Sequence, residues 1–195
     1  MSKGFSAVIL AAGYSGRMGV PKWSLIFDDK QTFVEKISHE FARAGCEQIF
    51  LVVNDSVYLQ LKGRELSLPD NLKIVINENP DLGRFYSLKK GVEFCDSENP
   101  VCFTNIDNPF INSGLIKSLL SESLNADYIS PSFEGKGGHP VVISSSVVKA
   151  IQVSQQSDIN LKGFLLNFKR KKIEVEDEKV ILNINTQADY QKYFL

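Results

Sequence analysis

Val8-Ile-Leu-Ala-Ala-Gly-Tyr-Ser-Gly-Arg-Met-Gly-Val-Pro-Lys22 joins a buried-strand signal to a glycine-punctuated basic loop. Phe5 to Ala11 is an apolar run of the length expected for a strand covered on both faces, as in parallel sheets of α/β proteins. Gly13, Gly16 and Gly19 follow at every third position, and Arg17 and Lys22 add positive charge. A chain that turns so freely can bring backbone N–H groups against an anion. The spacing is not a P-loop, because Val20-Pro21 separate Gly19 from Lys22. Nor is it the dinucleotide fingerprint, since Gly-x-x-Gly-x-x-Gly differs from Gly-x-Gly-x-x-Gly. On loop chemistry alone, the choice lies between a phosphate-holding loop and a plain strand-to-helix connection.

Strand and helix signals alternate outward from that loop. Thr32 to Ala44 has apolar residues at helical spacing and Gly45 to stop it, and Ile49 to Val53 reads as a second strand. A helix over Asp55 to Leu66, a turn at Pro69-Asp70-Asn71 and a strand from Leu72 to Ile76 follow. A helix over Tyr86 to Phe94 then leads to a strand over Val101 to Ile106. Such alternation predicts parallel strands with right-handed crossovers and a ligand beyond their carboxyl ends. The second half is more mixed. It reads as a helix over Asn112 to Leu124, strands over Tyr128 to Phe133 and Pro140 to Ile143 around a turn or mobile loop at Gly135-Lys-Gly-Gly138, and helices over Ser145 to Val153 and Leu161 to Phe168. Lys172 to Val175 and Val180 to Asn183 suggest a hairpin tipped by Glu176-Asp177-Glu178, and Thr186 to Tyr193 a last helix.

The 195 residues suit one α/β domain, residues 1–195, and show no repeat or low-complexity linker. Hydrophobic residues at 43% and charged residues at 23% are ordinary for a globular protein. A net charge of -1 gives no broad field for nucleic acid, so any anion must be held by local basic groups. Cys46, Cys95 and Cys102 have neither disulfide nor zinc-site spacing and read as reduced thiols. With no signal-peptide pattern and no apolar run long enough for a span, a cytoplasmic location and no membrane partner are expected. The oligomeric state is open.

Four further segments carry candidate chemistry. Asp107 ends an apolar strand before Pro109; it is either a hard oxygen ligand beside the glycine loop or a local cap for a helix near Asn112. Asn77-Glu-Asn-Pro-Asp-Leu-Gly-Arg-Phe-Tyr-Ser-Leu-Lys-Lys-Gly91 offers Gly83 for close approach and Ser87 as a hydrogen-bonding hydroxyl, unless Asp81 and Ser87 are caps. Gly137-Gly-His-Pro-Val-Val142 presents His139, a candidate anion ligand or a turn residue. Asn183-Ile-Asn-Thr-Gln-Ala-Asp189 reads as a helix cap, Thr186 with Asp189, preceded by two amides. Other sites are discounted. His39 lacks a metal-ligand partner, Ser15 lacks a nucleophile elbow, Asp158 serves equally as a helix cap, and Lys169-Arg-Lys-Lys172 reads as a solvated helix end.

Leu10-Ala-Ala-Gly-x-Ser-x-Arg-Met-Gly-x-Pro-Lys22, with Ile106-Asp-Asn-Pro-Phe-Ile111, the Gly83 to Gly91 segment and Gly138-His-Pro-Val141, resembles the nucleotidyltransferases of the MobA/MocA type, in order along nearly the whole chain. The resemblance implies a single-domain Rossmann-like (GT-A-type) three-layer sandwich with a mostly parallel mixed sheet. It also implies Mg²⁺-dependent transfer of a nucleoside monophosphate from an NTP to a small phosphorylated acceptor, with release of pyrophosphate. The corresponding assignments are Leu10, Ala11, Ala12, Gly13, Gly83 and Ser87 to the nucleotide, Arg17 and Lys22 to its β- and γ-phosphates or the pyrophosphate, Asp107 and Asn185 to Mg²⁺, and His139 to the acceptor. Both acidic positions of the family's usual C-terminal pattern are Asn here, Asn183 and Asn185. Ala12, where a guanylyl branch has Gly, is similar to the cytidylyl branch and favours CTP over GTP, with molybdopterin as the first acceptor implied. A sugar 1-phosphate acceptor, or a nucleotide-binding module without turnover, are the alternatives; NAD(P)H-dependent redox chemistry lacks its glycine spacing.

Overall fold

A computed structural model describes residues 4–122 and 126–195. Its first strand, β1 (Ser6–Leu10), is the apolar run before the glycine loop, and all five residues are buried. The loop ends in a single 3-10 turn at Lys22–Ser24, followed by a small antiparallel hairpin of β2 (Ile26–Asp28) and β3 (Gln31–Thr32) that no periodicity marked. Helix α1 (Phe33–Arg43) starts at a reciprocal cap, in which Thr32 Oγ1 accepts from the Glu35 N–H and the Glu35 carboxylate accepts from the Thr32 N–H. The remaining crossover elements are β4 (Gln48–Val53), α2 (Asp55–Lys62), β5 (Leu72–Ile76), α3 (Gly83–Val92) and β6 (Val101–Asn105). These agree with the sequence reading except at helix ends: α2 stops before Gly63, and α3 begins three residues earlier than its apolar spacing indicated.

After β6 come α4 (Ser113–Ser121), β7 (Tyr128–Phe133), β8 (Lys136–Gly137), β9 (Val141–Ile143), α5 (Ser145–Val153), α6 (Leu161–Leu165), β10 (Arg170–Glu174) and α7 (Gln187–Phe194). Leu124, the expected end of α4, lies outside the described residues. The main sheet runs β10-β7-β9-β6-β1-β4-β5, with β8 paired to β7. Strands β5, β4, β1 and β6 are parallel neighbours, β9 runs antiparallel between β6 and β7, and β10 pairs parallel with β7.

Of the turn or mobile loop expected at Gly135 to Gly138, the turn forms: it closes the short β7–β8 hairpin, with Ser132 opposite Gly137. Two other expectations for this half need correction. The hairpin expected around Glu176-Asp177-Glu178 does not form. Its first arm is β10, and Glu178–Ile181 is a 3-10 turn because the Asp177 side chain accepts from the Lys179 N–H at 2.9 Å, which gives the backbone a local turn in place of a strand. The basic run at 169–172 likewise enters an edge strand and does not close a helix; Arg170 donates to Ser130 and Lys171 pairs with Glu122.

Alternating side chains divide the core into the two faces expected of a sheet between helices. Ala7, Ile9, Ile49, Leu51 and Cys102 face α1 and α4 through Phe33, Ile37, Phe41, Ile116 and Leu119. Val8, Leu10, Phe50, Val52 and Phe103 face α3 and α5 through Phe85, Leu88, Val147 and Ile151. Cys46, Cys95 and Cys102 are buried and free, and burial pushes the first two thiols up to about 12. Among the described residues no helix is long and apolar enough to cross a membrane.

Candidate functional site

The register aligns the carboxyl ends of three central strands: Leu10 of β1 lies opposite Val52 on one side and Asn105 on the other. The glycine loop therefore leaves the sheet beside the turn that carries Asp107. A cavity of about 340 Å³ opens there, walled by Leu10, Ala12, Gly13, Ser15 and Lys22 on one side and by Arg84, Ser87, Asn105, Ile106, Asp107, Asn183 and Asn185 on the other.

The loop is tied down at both ends and left open in the middle. The Ala11 N–H donates to Val52 O at 2.8 Å, and Asn54, the N-cap of α2, donates Nδ2 to Ala12 O at 2.8 Å. Buried Met18 anchors the tip, with its N–H donating to Ser15 O. Ser15 and Gly19 sit at positive φ, 52° and 75°; at Gly19 glycine meets a conformational demand. Gly13 is different, because a Cβ there would meet no protein atom within 4 Å and would instead project into open space at the cavity wall. Glycine at this point keeps backbone N–H groups accessible to a ligand.

Lys22 emerges between Pro21 and buried Trp23, which fix the 3-10 turn that presents it. Its Nζ lies 3.1 Å from Asp107 Oδ2 and donates to Asn185 Oδ1 at 2.7 Å. Three residues from three distant segments thus meet at one point, with the Lys22 and Asp107 side chains only 12% and 18% exposed. An ion pair this sheltered costs desolvation and is weak evidence for stability, so its position in a cavity wall points to function. Asp107 Oδ1 is buried and has no hydrogen-bond partner among the described residues. That free hard oxygen, with Asn185 Oδ1 near it, fits a hard divalent cation. Among the described residues no three His, Cys, Asp or Glu side chains gather as a metal site, so such a cation would draw its other ligands from phosphate or water.

Asp107 is not a helix cap; Asn112 takes that role for α4, accepting from the Leu115 N–H. The Asp107 carbonyl instead accepts from the Ile184 N–H at 2.9 Å, which brings the C-terminal strap to the site. Thr186 and Asp189 form the expected reciprocal cap of α7, and Asp189 also accepts from the Asn185 N–H. Hydrogen bonds from Asn185 and Thr186 hold the Asp189 carboxyl below its ordinary range.

Ser87 lies one turn inside α3, where its hydroxyl donates to Gly83 O and accepts from buried Asn77 Nδ2 at 2.9 Å. Gly83, at φ 84°, starts that helix beside a second cavity with Asp81 and Asp158 in its wall. Asp158 is not a cap, since Asn160 accepts from the first N–H groups of α6. Arg17 stands exposed at the loop, away from the cavity wall and with no side-chain partner among the described residues. His139 is also off that wall. Half-buried, it packs edge-on against Phe103 and meets Asn105 Nδ2 at 3.2 Å through Nε2. Burial pushes its pKa down to about 4, Asp107 opposing the shift and Arg84 adding to it. His39 Nε2 contacts Ser67 O and takes no part.

Sequence reasoning assigned no role to Asn105, Asn108 or Arg84. Nothing local in the sequence could show that Asn108 ties Asn105 to the C-terminal strap.

Comparison with known proteins agrees with this geometry. The family model described as the MobA-like NTP transferase domain matches residues 7–170. The chain is 29% identical over 189 residues to the molybdenum cofactor cytidylyltransferase of Escherichia coli (strain K12), covering 94% of this chain and 92% of that one. Among solved structures, the manganese complex of Rv0371C from Mycobacterium tuberculosis H37Rv superposes with a TM-score of 0.75 at 20% identity, over 98% of both chains. Molybdopterin-guanine dinucleotide biosynthesis protein A from Archaeoglobus fulgidus gives 0.69 at 15% identity, over 96% of both. The sheet order, the glycine loop running into Lys22 and the match across residues 7–170 lead to one conclusion: the chain belongs to the family of MobA-like NTP transferase domains and is a nucleotidyltransferase.

Proposed function

We propose that the protein transfers CMP from CTP to a small phosphorylated acceptor, with molybdopterin as the first candidate, in a Mg²⁺-dependent reaction that releases pyrophosphate. The observation that carries this reading is the junction of Lys22, Asp107 and Asn185 at the mouth of the cavity. A phosphate acceptor is already ionised and needs no general base, so the protein's task is charge neutralisation and in-line positioning. Backbone groups of Ala11 to Gly13 hold the nucleotide, and Lys22 takes negative charge that builds on the departing pyrophosphate. Asp107 and Asn185 hold the cation, which supplies Lewis-acid charge neutralisation when bound. Arg17 is free to swing onto the β- and γ-phosphates from the exposed loop.

The choice of CTP rests on Ala12, where the guanylyl branch has glycine, and on the cytidylyltransferase relative. Thermal stabilisation by each of the four NTPs with Mg²⁺ or Mn²⁺, alongside pyrophosphate release with candidate acceptors, tests the reading. Preferential stabilisation by CTP with metal-dependent turnover is the expected result. A preference for GTP overturns the base assignment, and nucleotide binding without turnover on any phosphorylated acceptor favours a binding module.

A further inference from the structure

Asn105 is 8% exposed, ends β6 in the cavity wall, and has both its amide hydrogens committed. Its Nδ2 donates to Asn108 Oδ1 at 3.1 Å and lies 3.2 Å from His139 Nε2. The orientation of this amide follows from the backbone. Asn108 Nδ2 lies 2.8 Å from the Leu182 carbonyl, which can only accept, so Asn108 must present its nitrogen there and its Oδ1 to Asn105. Asn105 must therefore answer with Nδ2, and His139 Nε2 can only accept from it. The neutral ring with its proton on Nδ1 satisfies that demand, and burial favours the neutral form.

A chain of fixed polarity thus runs from Leu182 through Asn108 and Asn105 to His139, and among the described residues it leaves Asn105 Oδ1 without a protein partner. That oxygen can only accept, so a ligand that displaces water from it must bring a donor. Phosphate oxygens of a bound nucleotide carry no such donor and would be repelled by it. Asn105 precedes Asp107, at the phosphate end of the cavity, by two residues, and lies opposite Leu10 at the start of the glycine loop. The part of a nucleotide next to its phosphates that carries hydroxyl donors is the ribose.

We infer that Asn105 Oδ1 accepts a hydrogen bond from a ribose hydroxyl of the bound NTP, with Asn108 and His139 as positioning residues, so that the site selects ribonucleotides over deoxyribonucleotides. This inference rests on the nucleotide-site reading above. Dissociation constants in the presence of Mg²⁺ test it, for the NTP that stabilises the protein most and for its 2′-deoxy and 3′-deoxy counterparts. The native protein should bind the ribonucleotide about three- to tenfold more tightly than one of the two deoxy forms, the scale of one buried hydrogen bond. Asn105→Ala should bring that ratio close to one. Asn105→Ser also removes the amide oxygen while keeping a polar group at the buried position, and it serves as the variant if the alanine protein does not fold. Equal binding of all three ligands by the native protein, or an unchanged ratio in the folded variant, overturns the inference while leaving the nucleotide site standing. Failure to bind any NTP removes both.

Discussion

The two halves of the sheet reach the cavity by different routes. In the parallel half, β5, β4, β1 and β6, each strand end leads directly into a site segment, and the local caps at Thr32 and Asn54 are set within a few residues. In the mixed half, the strap at 178–186 is placed by contacts with residues far away in sequence: His139 N–H to Val180 O, Asn108 Nδ2 to Leu182 O, and Ile184 N–H to Asp107 O. The first half builds the cavity by folding; the second closes it by docking. Lys22 joins the two, being held at once by Asp107 from the first and Asn185 from the second.

Breaking that junction should have the largest effect. Lys22→Ala is expected to lower turnover on the order of 10²–10³-fold, as for loss of a charge stabiliser in a dry site, with the far-ultraviolet circular dichroism spectrum unchanged. Both halves remain folded in that outcome, and only their meeting point fails. Near-normal pyrophosphate release by this variant would sink the role given to Lys22.

Acid should loosen the docked half first. His139 is held neutral, with its pKa about 4 against 6.5 in an unfolded chain. Its contribution is therefore complete above pH 6.5 and is lost as pH falls toward 4, because the unfolded chain takes up the proton before the folded one does. The largest loss is about 3 kcal/mol. Urea melts of the native protein and of His139→Gln from pH 7 to 4.5 isolate this effect from that of the carboxylates. The native protein's advantage should shrink steadily over that range, and a constant difference would show that the ring is not held neutral.

The same contrast explains what could be read from the sequence. The parallel half was legible because buried strands are continuous apolar runs and amphipathic helices repeat at 3.6 residues, both local signals. Leu72–Ile76 of this half was delimited to the residue, as was Ser145–Val153 of the mixed half, where the same local signal holds. The Glu176-Asp177-Glu178 segment misled because turn chemistry fits a hairpin tip and a capped 3-10 turn equally well, and only Val180 docking beside Gly138 decides between them. Within the site, Lys22, Asp107 and Ser87 stood in motifs whose spacing is short. The tie between Asn108 and the strap spans 74 residues and left no periodic mark.

Two glycines sharpen the comparison at a smaller scale, because each is required by close approach and each belongs to a different half. A Cβ at Gly91 would lie 2.6 Å from Val8 Cγ1, so α3 packs on the sheet only through glycine there. At Gly138 a Cβ would come within 2.2 Å of Val180 O, where the strap crosses the β8–β9 connection. Alanine at either position should cost about 1–3 kcal/mol by overpacking, so urea melts alone do not separate them. Activity does. Gly91→Ala shifts a helix against the framework, and turnover per folded molecule should remain near normal. Gly138→Ala pushes on the backbone that also carries Asn185, so it should raise the KM for NTP severalfold at a similar cost in stability. If both variants lose stability and neither changes KM, the strap is a passive cover and Asn185 is placed by α7 alone.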